Sequence, residues 1–256
     1  MTARSLTRII YPLAGLVLLV IVWALICRIG RLSVVVLPPP DKVLYAFVAN
    51  LGLLFEESLV TLKETVYGFA LAVALGLPMA VAVAKSRTLN LMFYPLLVAL
   101  QSVPKVALAP IILVWLGPDL QSKLAIAWLV AFFPIVVDTA AGLRATPKEL
   151  LELAHSLKAS RMQILFKVQF PASLPFVMTG AKVAITLAVI GAVIGEFVGS
   201  SEGLGFLLLT ATSQLDTPLA FAALFALSIL GLLVYLAVEG VELLIAPWLP
   251  PAAERH

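Results

Sequence analysis

The sequence predicts an all-α integral membrane protein with six transmembrane helices. Its 256 residues are 62% hydrophobic and only 12% charged, and the mean hydropathy is +1.11. A soluble domain carries about 25% charged residues, whereas a transmembrane helix needs roughly 20 mostly apolar residues. Six stretches meet that requirement, namely residues 9–27, 65–84, 88–118, 124–143, 168–195 and 217–238. We therefore expect a multi-pass protein of the cell membrane, in contact with the lipid bilayer over most of its surface.

The first apolar stretch could also be the core of a cleaved signal peptide, because Arg4 and Arg8 precede it. It is long for such a core, however, and no small-residue cleavage site follows Cys27. The pattern favours an uncleaved first helix.

Prolines divide two other regions of the chain. Pro38, Pro39 and Pro40 end any preceding helix, and Asp41 then has the character of an N-cap for an amphipathic helix over 42–55 at the outer interface. The third apolar stretch contains prolines within its length, which predicts a kinked or broken span; these are Pro95, Pro104 and Pro110. Residues 198–216 are rich in glycine and serine at their start and predict an outer loop.

The distribution of basic residues favours an N-in/C-in orientation, because cytoplasmic loops are enriched in Lys and Arg. That orientation places ten basic residues inside: Arg4, Arg8, Lys85, Arg87, Arg144, Lys148, Lys158, Arg161, Lys167 and Arg255. It places five outside: Arg28, Arg31, Lys42, Lys63 and Lys123. Several acidic residues also fall outside: Asp41, Glu56, Glu57, Glu64, Asp119, Glu202 and Asp216.

The polar segment between the fourth and fifth spans carries its own helix signals. Residues 146–149 (TPKE) and 160–163 (SRMQ) have the spacing of capping boxes, and Pro171 should end the second helix. This predicts two short helices joined near Lys158 and Ala159. An apolar stripe follows the first of them: Leu150, Leu153, Ala154 and Leu157. Such short helices need a surface to pack on. The segment is either a docking surface for a soluble partner or a solvated loop that obeys the charge rule.

The same segment resembles the EAA motif of binding-protein-dependent ABC transporter permeases. Residues 152–154 (ELA) and 168–171 (VQFP) match that motif in register, with conservative replacements. Lys158 stands where the motif has glycine. Glycine suits a left-handed helix-ending conformation, so lysine there should cost up to about 1 kcal/mol if the turn is kept.

Two further stretches resemble the sulfonate, taurine, nitrate and pyrimidine-precursor branch of that family. Residues 103–110 (VPKVALAP) with 115–117 (WLG) are similar to its third-helix region, and 195–197 (GEF) with 202–205 (EGLG) to the segment after its fifth helix. The resemblance covers about 60–245. It implies a single permease domain over 1–256 with the type I ABC importer permease fold and cytoplasmic coupling helices over 146–170.

The resemblance also implies a function and partners. The chain is expected to form the translocation path of an ABC importer for a small solute, such as a sulfonate, nitrate or a pyrimidine-type precursor. A solute-binding protein would deliver the solute, and two separate ATP-binding subunits would drive transport. A second permease subunit would complete the path. A homodimer is expected, and a heterodimer remains open. The expected ATPase-subunit contacts are Glu149, Glu152, Ala154, His155, Leu157, Lys158, Ala159 and Arg161.

Ionisable groups within spans are costly and often functional, which makes Lys105, Asp138 and Glu196, with Pro104, candidates for the path or gate. Lys105 would bind an anionic solute, or form an ion pair with Asp138 or Glu196. Asp138 suits a helix–helix hydrogen bond, and Glu196 a gate or a loop anchor. Lys182 is expected to extend towards the cytoplasmic face.

Several other functions are disfavoured by residues that the sequence lacks. No G-x-x-x-x-G-K-[ST] motif is present, so the chain is not expected to bind ATP itself. His155 and His256 are its only histidines and Cys27 its single cysteine, which leaves no evident metal set, cofactor site or nucleophile–base pair. The net charge of +3 is attributed to topology, not nucleic-acid binding. The main alternative is a self-sufficient secondary transporter, although such folds show broken helices in both halves.

Overall fold

The computed structural model describes residues 3–245, within which all regular structure is helical and no β-strand is present. The α-helices are α1 (Ala3–Ile29), α2 (Pro40–Ala49), α3 (Leu51–Lys85), α4 (Arg87–Gln101), α5 (Ala109–Leu116), α6 (Leu120–Arg144), α7 (Lys148–Ser156), α8 (Arg161–Ile164), α9 (Phe170–Gly199), α10 (Leu204–Ser213) and α11 (Thr217–Ile245). A 3-10 turn (Lys105–Leu108) precedes α5 and a π turn (Leu165–Gln169) precedes α9. Arg255 and His256 lie outside the described residues, as do the side chains of Arg4 and Arg8.

The centre of the fold is the packing of α6 between α3 and α9, and glycines allow these helices to approach closely. A Cβ atom added at Gly68 of α3 would lie 2.5 Å from the Cβ of Ala127 in α6. One added at Gly191 of α9 would lie 2.6 Å from the Cα of the same alanine. Gly76 and Gly180 also lie close to α6, with added Cβ atoms 2.7 Å and 2.9 Å from their nearest neighbours. Small residues at these positions let the helix backbones come into direct contact, as is common where helices associate in membranes.

Four helices are long and apolar enough to cross a membrane, and a broken pair adds a fifth candidate. The four are α3, α6, α11 and one continuous 39-residue helix that runs from Arg161 to Gly199. In α1 the apolar part with described side chains, Ala14–Ile29, is shorter. Six spans and their orientation therefore stay predictions.

The third apolar stretch is broken, which confirms the prediction from its prolines. Helix α4 ends at Gln101, and the segment from Lys105 to Leu116 leaves at 92° to it. Pro104 precedes the 3-10 turn in an extended conformation, Pro110 lies in the first turn of α5, and Pro95 lies inside α4. Proline is tolerated at the start of a helix because no amide hydrogen is needed there.

The region before α3 differs from the prediction in two ways. The amphipathic helix expected over 42–55 is divided at Asn50, where α2 ends and α3 begins, well ahead of the span start predicted at Thr65. The N-cap of α2 is Pro39, not Asp41, because Pro40 already has its backbone preset for the first helical position. Asp41 lies in the first turn, where the helix dipole stabilises its negative charge.

Residues 198–216 do not form the plain loop that was expected, because α10 lies within them. Leu204, Leu207 and Ala211 of this helix are buried against the bundle. Gly203 lies in the turn before α10. After this turn, α10 packs against α3 and α9.

Candidate functional site

The polar segment between α6 and α9 folds into a defined helix–turn–helix, here called the elbow (Lys148–Ile164). Helix α7 ends in a Schellman motif: the N–H of Ala159 donates to the carbonyl oxygen of Ala154 at 3.0 Å, and the N–H of Lys158 to that of His155 at 2.9 Å. Lys158 has φ +54°, the left-handed conformation. The turn of the EAA motif is thus kept although lysine replaces glycine.

The two capping boxes predicted for the elbow have different outcomes. The second is confirmed, since the N–H of Gln163 donates to the Ser160 hydroxyl at 3.3 Å and the Ser160 N–H to the Gln163 side chain at 2.8 Å. The first is wrong. The Thr146 hydroxyl donates to the carbonyl of Leu143 at 3.1 Å, closing the end of α6, and α7 begins after Pro147 without a side-chain cap.

The prediction that Pro171 ends the second helix is also wrong. Helix α8 continues through the π turn into α9, so the elbow is joined directly to a core helix. The N–H of Phe170 donates to the carbonyl of Leu165 across this wider turn. The wider turn displaces the backbone ahead of the proline ring, which would otherwise clash with a regular α-helical carbonyl.

The outer surface of the elbow is apolar and uncovered. Four large apolar side chains are between 44% and 74% exposed, namely Leu150, Leu153, Leu157 and Met162. The predicted stripe therefore does not pack on the chain's own bundle, and only its Ala154 is buried. Of the other expected contact residues, Ala159 is half-buried, and six are exposed: Glu149, Glu152, His155, Leu157, Lys158 and Arg161.

A second polar site lies inside the bundle and is called here the buried charge cluster (Glu57, Thr61, Glu64, Lys123 and Glu196). The Lys123 ammonium lies 2.9 Å from a carboxylate oxygen of Glu64, and both side chains are almost fully buried. Glu196 and Thr61 are 1% and 0% exposed, and Glu57 is half-buried at the rim. Buried charges persist only where partners compensate their desolvation.

The buried charge cluster holds the turn that leads into α10. The Glu196 carboxylate accepts a hydrogen bond from the Thr61 hydroxyl at 2.7 Å and another from the N–H of Gly205. The Thr61 oxygen accepts from the N–H of Leu204 at 2.9 Å, and Glu57 accepts from the N–H of Gly203. Three successive amides at the start of a helix thus face acidic or hydroxyl oxygens, which the helix dipole favours.

Sequence reasoning singled out Glu196 but missed its neighbours. Lys123 and Glu64 were placed among the outer flanking charges, whereas the structure pairs them in the interior. One signal was present: Glu57, Thr61 and Glu64 are spaced i, i+4 and i+7, which aligns them on one helix face. A span that starts at Thr65, as the sequence predicts, leaves that face outside the membrane.

Lys105 does not form the ion pair that was one of its two predicted roles. Its amine donates to the carbonyl oxygen of Gln101 at 3.0 Å, across the break after α4, and lies 5.2 Å from the ring centre of Phe133. Among the residues whose side chains are described, the ion pairs are Lys123–Glu64 and Lys182–Glu242. Lys105 is half-buried and Pro104 is exposed.

The remaining intramembrane charges lie elsewhere on α6 and α9. Asp138 packs against Gly180, where an added Cβ would lie 2.9 Å from the Asp138 Cβ. Lys182 is paired with Glu242 of α11, so its ammonium is held by a carboxylate instead of extending alone towards the membrane surface. The structure does not bring Lys105, Asp138 and Glu196 together as one site.

Comparison with known proteins identifies the class to which this architecture belongs. The family described as "Binding-protein-dependent transport system inner membrane component" matches residues 72–249. The chain belongs to this family, and the resemblance seen in the EAA motif is confirmed. It is a multi-pass inner-membrane protein of a family of ABC transporter permease subunits, which lack an ATPase site of their own.

Individual relatives cover nearly the whole chain. The riboflavin transport system permease protein RibX of Chloroflexus aurantiacus is 37% identical over 251 residues, which is 96% of this chain and 94% of RibX. The formylaminopyrimidine transport permease protein ThiX of Halalkalibacterium halodurans is 34% identical over 237 residues, covering 93% and 95%. A chain of the inward-facing MetNI methionine ABC transporter has the same fold, with a TM-score of 0.66 and 23% identity over 75% of this chain and 96% of that one.

Proposed function

We propose that this protein is the membrane-spanning permease subunit of an ABC importer and that the elbow is its contact with an ATP-binding subunit. The observation that carries the proposal is the uncovered apolar surface of the elbow. Leu153 and Leu157 are 57% and 74% exposed on a helix that ends in a fully formed motif turn. A short, ordered helix with large apolar side chains in water is typical of a docking surface.

The charged residues of the elbow surround those leucines and would give the contact its orientation. Glu149 and Glu152 are acidic on α7, whereas Lys158 and Arg161 are basic at the turn, and all four are exposed. This arrangement presents both acidic and basic side chains around one apolar patch. A complementary surface on the ATP-binding subunit would therefore bind in one register.

The connection from α8 to α9 supports a mechanical role for the elbow. The helix from Arg161 to Gly199 has 39 residues, which corresponds to about 58 Å at 1.5 Å per residue. It carries the elbow at one end and Glu196 of the buried charge cluster at the other. A displacement of the docked elbow would thus reach the turn into α10, and the nucleotide state of the partner would bias two arrangements of the bundle.

The topology that fits this function has six spans with both termini in the cytoplasm, in one permease domain over 1–256. Helix α1 supplies the first span and the broken pair α4–α5 the third. The elbow then lies in the cytoplasm, where nucleotide-binding subunits have access, and the turn into α10 lies at the outer side. The clustering of Lys85, Lys148, Lys158 and Arg161 at the elbow end supports this orientation.

A second permease subunit, identical to this one, would cover the break after α4. Ser102, Val103 and Pro104 are exposed where the backbone leaves its helical hydrogen bonding. Irregular backbone at membrane depth must be buried in protein or line a water-filled cavity. We therefore place the dimer contact and the translocation path along α4 and α5, with Lys105 and Pro104 next to the path.

The solute we favour is a nitrogen heteroaromatic compound delivered by a solute-binding protein. RibX and ThiX are named for riboflavin and for formylaminopyrimidine, and both share more than 30% identity with almost this entire chain. Lys105 would offer one positive charge to a carbonyl or anionic group of such a solute. A sulfonate or nitrate is the second possibility, which the same lysine also suits. Thermal-shift screening of the solute-binding protein with these compounds would separate the two.

A matched pair of charge reversals tests the ATPase contact. Glu152→Lys should release the ATP-binding subunit during purification in detergent, because it reverses a charge beside the exposed leucines. Glu202→Lys makes the same change at an exposed residue outside the elbow and should retain the subunit. Retention by both variants would contradict the proposal. Gradient-driven uptake by the purified chain alone in liposomes would instead support a secondary transporter.

A further inference from the structure

A cavity of about 250 Å³ lies between the elbow and the inner bundle, and its mouth is basic. Lys85 enters it from the end of α3, His155 and Arg161 enter from the elbow, and Gln169 enters from the π turn. None of the residues that line the cavity is acidic. Three side chains that carry or can carry positive charge therefore converge from three helices, α3, α7 and α8.

The geometry keeps these groups available to a ligand. The Lys85 amine donates one hydrogen bond to the backbone carbonyl of Arg161 at 3.0 Å, which leaves two of its three hydrogens. Nδ1 of His155 lies 2.6 Å from the carbonyl oxygen of Leu151, so Nδ1 carries a hydrogen, and Nε2 can donate to an anion in the protonated imidazolium form of the ring. The like charges of Lys85 and Arg161 repel each other, and an anion bound between them would attract both.

The floor of the cavity is apolar and buried. Leu143, Ile164 and Leu165 line it and are between 2% and 6% exposed. Lys85 is also the last residue of a membrane-length helix, which places the cavity where lipid headgroups meet water. Basic pockets between transmembrane helices at this depth suit the phosphate of an anionic headgroup.

We propose that this cavity binds a phosphate group through Lys85, Arg161 and His155, with the amide of Gln169 as a further donor. A bound phosphate would bridge α3 to the elbow and so fasten the docking segment to the bundle at a second point besides the Lys85–Arg161 hydrogen bond. Guanidinium and ammonium groups form short, charge-assisted hydrogen bonds with phosphate oxygens. An anionic lipid or a soluble phosphate compound could supply that group.

Native mass spectrometry of the full chain, with any subunits that co-purify, tests the proposal. Phosphatidylglycerol should remain bound where phosphatidylcholine does not. Lys85→Gln should weaken phosphatidylglycerol binding about fivefold, since one basic residue near a membrane surface contributes roughly that factor. Lys85→Arg should restore binding. Lys167→Gln is the control: it removes an exposed lysine of the π turn that does not line the cavity, and binding should be unchanged.

The possible results separate the sources of phosphate and the ways in which the proposal fails. If inorganic phosphate raises the unfolding temperature of the wild type but not of Lys85→Gln, and no lipid is retained, the ligand is a soluble phosphate. Equal loss in Lys85→Gln and Lys167→Gln would show general surface charge and overturn the site. Release of the ATP-binding subunit by Lys85→Gln with unchanged lipid and phosphate binding would also overturn it, because the pocket would then serve the partner. None of the binding measurements requires transport or ATP hydrolysis.

Discussion

The two polar regions of this protein, the buried charge cluster and the elbow, differ in what surrounds their side chains. In the cluster, Glu196 and Thr61 are fully enclosed and hydrogen-bonded to the turn into α10. In the elbow, Leu157 and Glu152 are exposed although the backbone between them is helical. The first region pairs its charges within the chain, although one carboxylate oxygen of Glu64 has no hydrogen-bond partner. The second leaves an apolar surface that a partner can cover.

This difference separates residues that stabilise the fold of a membrane subunit from residues that bind a partner. A polar group that the fold has already paired acts on the fold itself, so substituting it should change stability. A substitution on an exposed helical surface should change association with a partner and leave the stability of the chain almost unchanged. Four substitutions test this distinction, in order of decreasing effect on the chain's own stability.

The largest effect is expected from Lys123→Met, which would leave the Glu64 carboxylate buried without its partner. Breaking a buried pair by removing one member costs about 3–5 kcal/mol in free energy of unfolding. Denaturant unfolding in detergent measures it. Lys42→Met, at an exposed lysine, is the matched control and should change stability little. Similar stability of the two variants would mean that the Lys123–Glu64 ion pair contributes nothing to the fold.

Gly203→Ala should come next. Gly203 has φ +101°, and an added Cβ would lie 2.3 Å from an oxygen of Glu196. The strained backbone alone costs about 1–3 kcal/mol, and the displaced carboxylate would also loosen its bond to Gly205. Gly231→Ala provides the comparison, since no atom lies within 4 Å of its added Cβ. Thermal unfolding should separate the two variants clearly, and coincident transitions would contradict the assigned turn.

Lys158→Gly is expected to stabilise the elbow. Lys158 is held in the left-handed conformation at the end of α7, where glycine carries no steric penalty, so a gain of up to about 1 kcal/mol is expected. Hydrogen exchange of the amides of Lys158 and Ala159, which close the motif, should slow. Faster exchange would show that the lysine side chain makes a contact that outweighs its backbone strain.

Leu157→Asp should have the smallest effect on stability and a large effect on association. Leu157 is 74% exposed, and surface substitutions usually change the free energy of unfolding by no more than about 0.5 kcal/mol. Binding of the ATP-binding subunit should nevertheless be lost. Leu204→Asp makes the same change at a fully buried leucine beside Thr61 and should unfold the chain. Loss of stability in Leu157→Asp would place that residue in the core instead.

Local features of the fold and of the elbow could be predicted because each depends on residues within one or two turns. The break at Pro104 and the capping box of Ser160 and Gln163 follow from chemistry that neighbouring residues supply. The box predicted at Thr146 failed because its hydroxyl is used by the end of α6, a choice that the spacing of residues 146–149 does not reveal. Pro171 failed as a stop signal because a π turn accommodates it.

The sequence by itself determined the membrane class, the apolar helices, the broken span and the elbow with its motif, because hydropathy, proline and capping act over short distances. Only the tertiary structure decided which charges meet. Thr61 and Glu196 are 135 residues apart in the chain, and Lys123 reaches Glu64 only because α6 packs against α3 through small residues. Pairing of this kind depends on how helices stack, and no pattern within one helix specifies its partner on another.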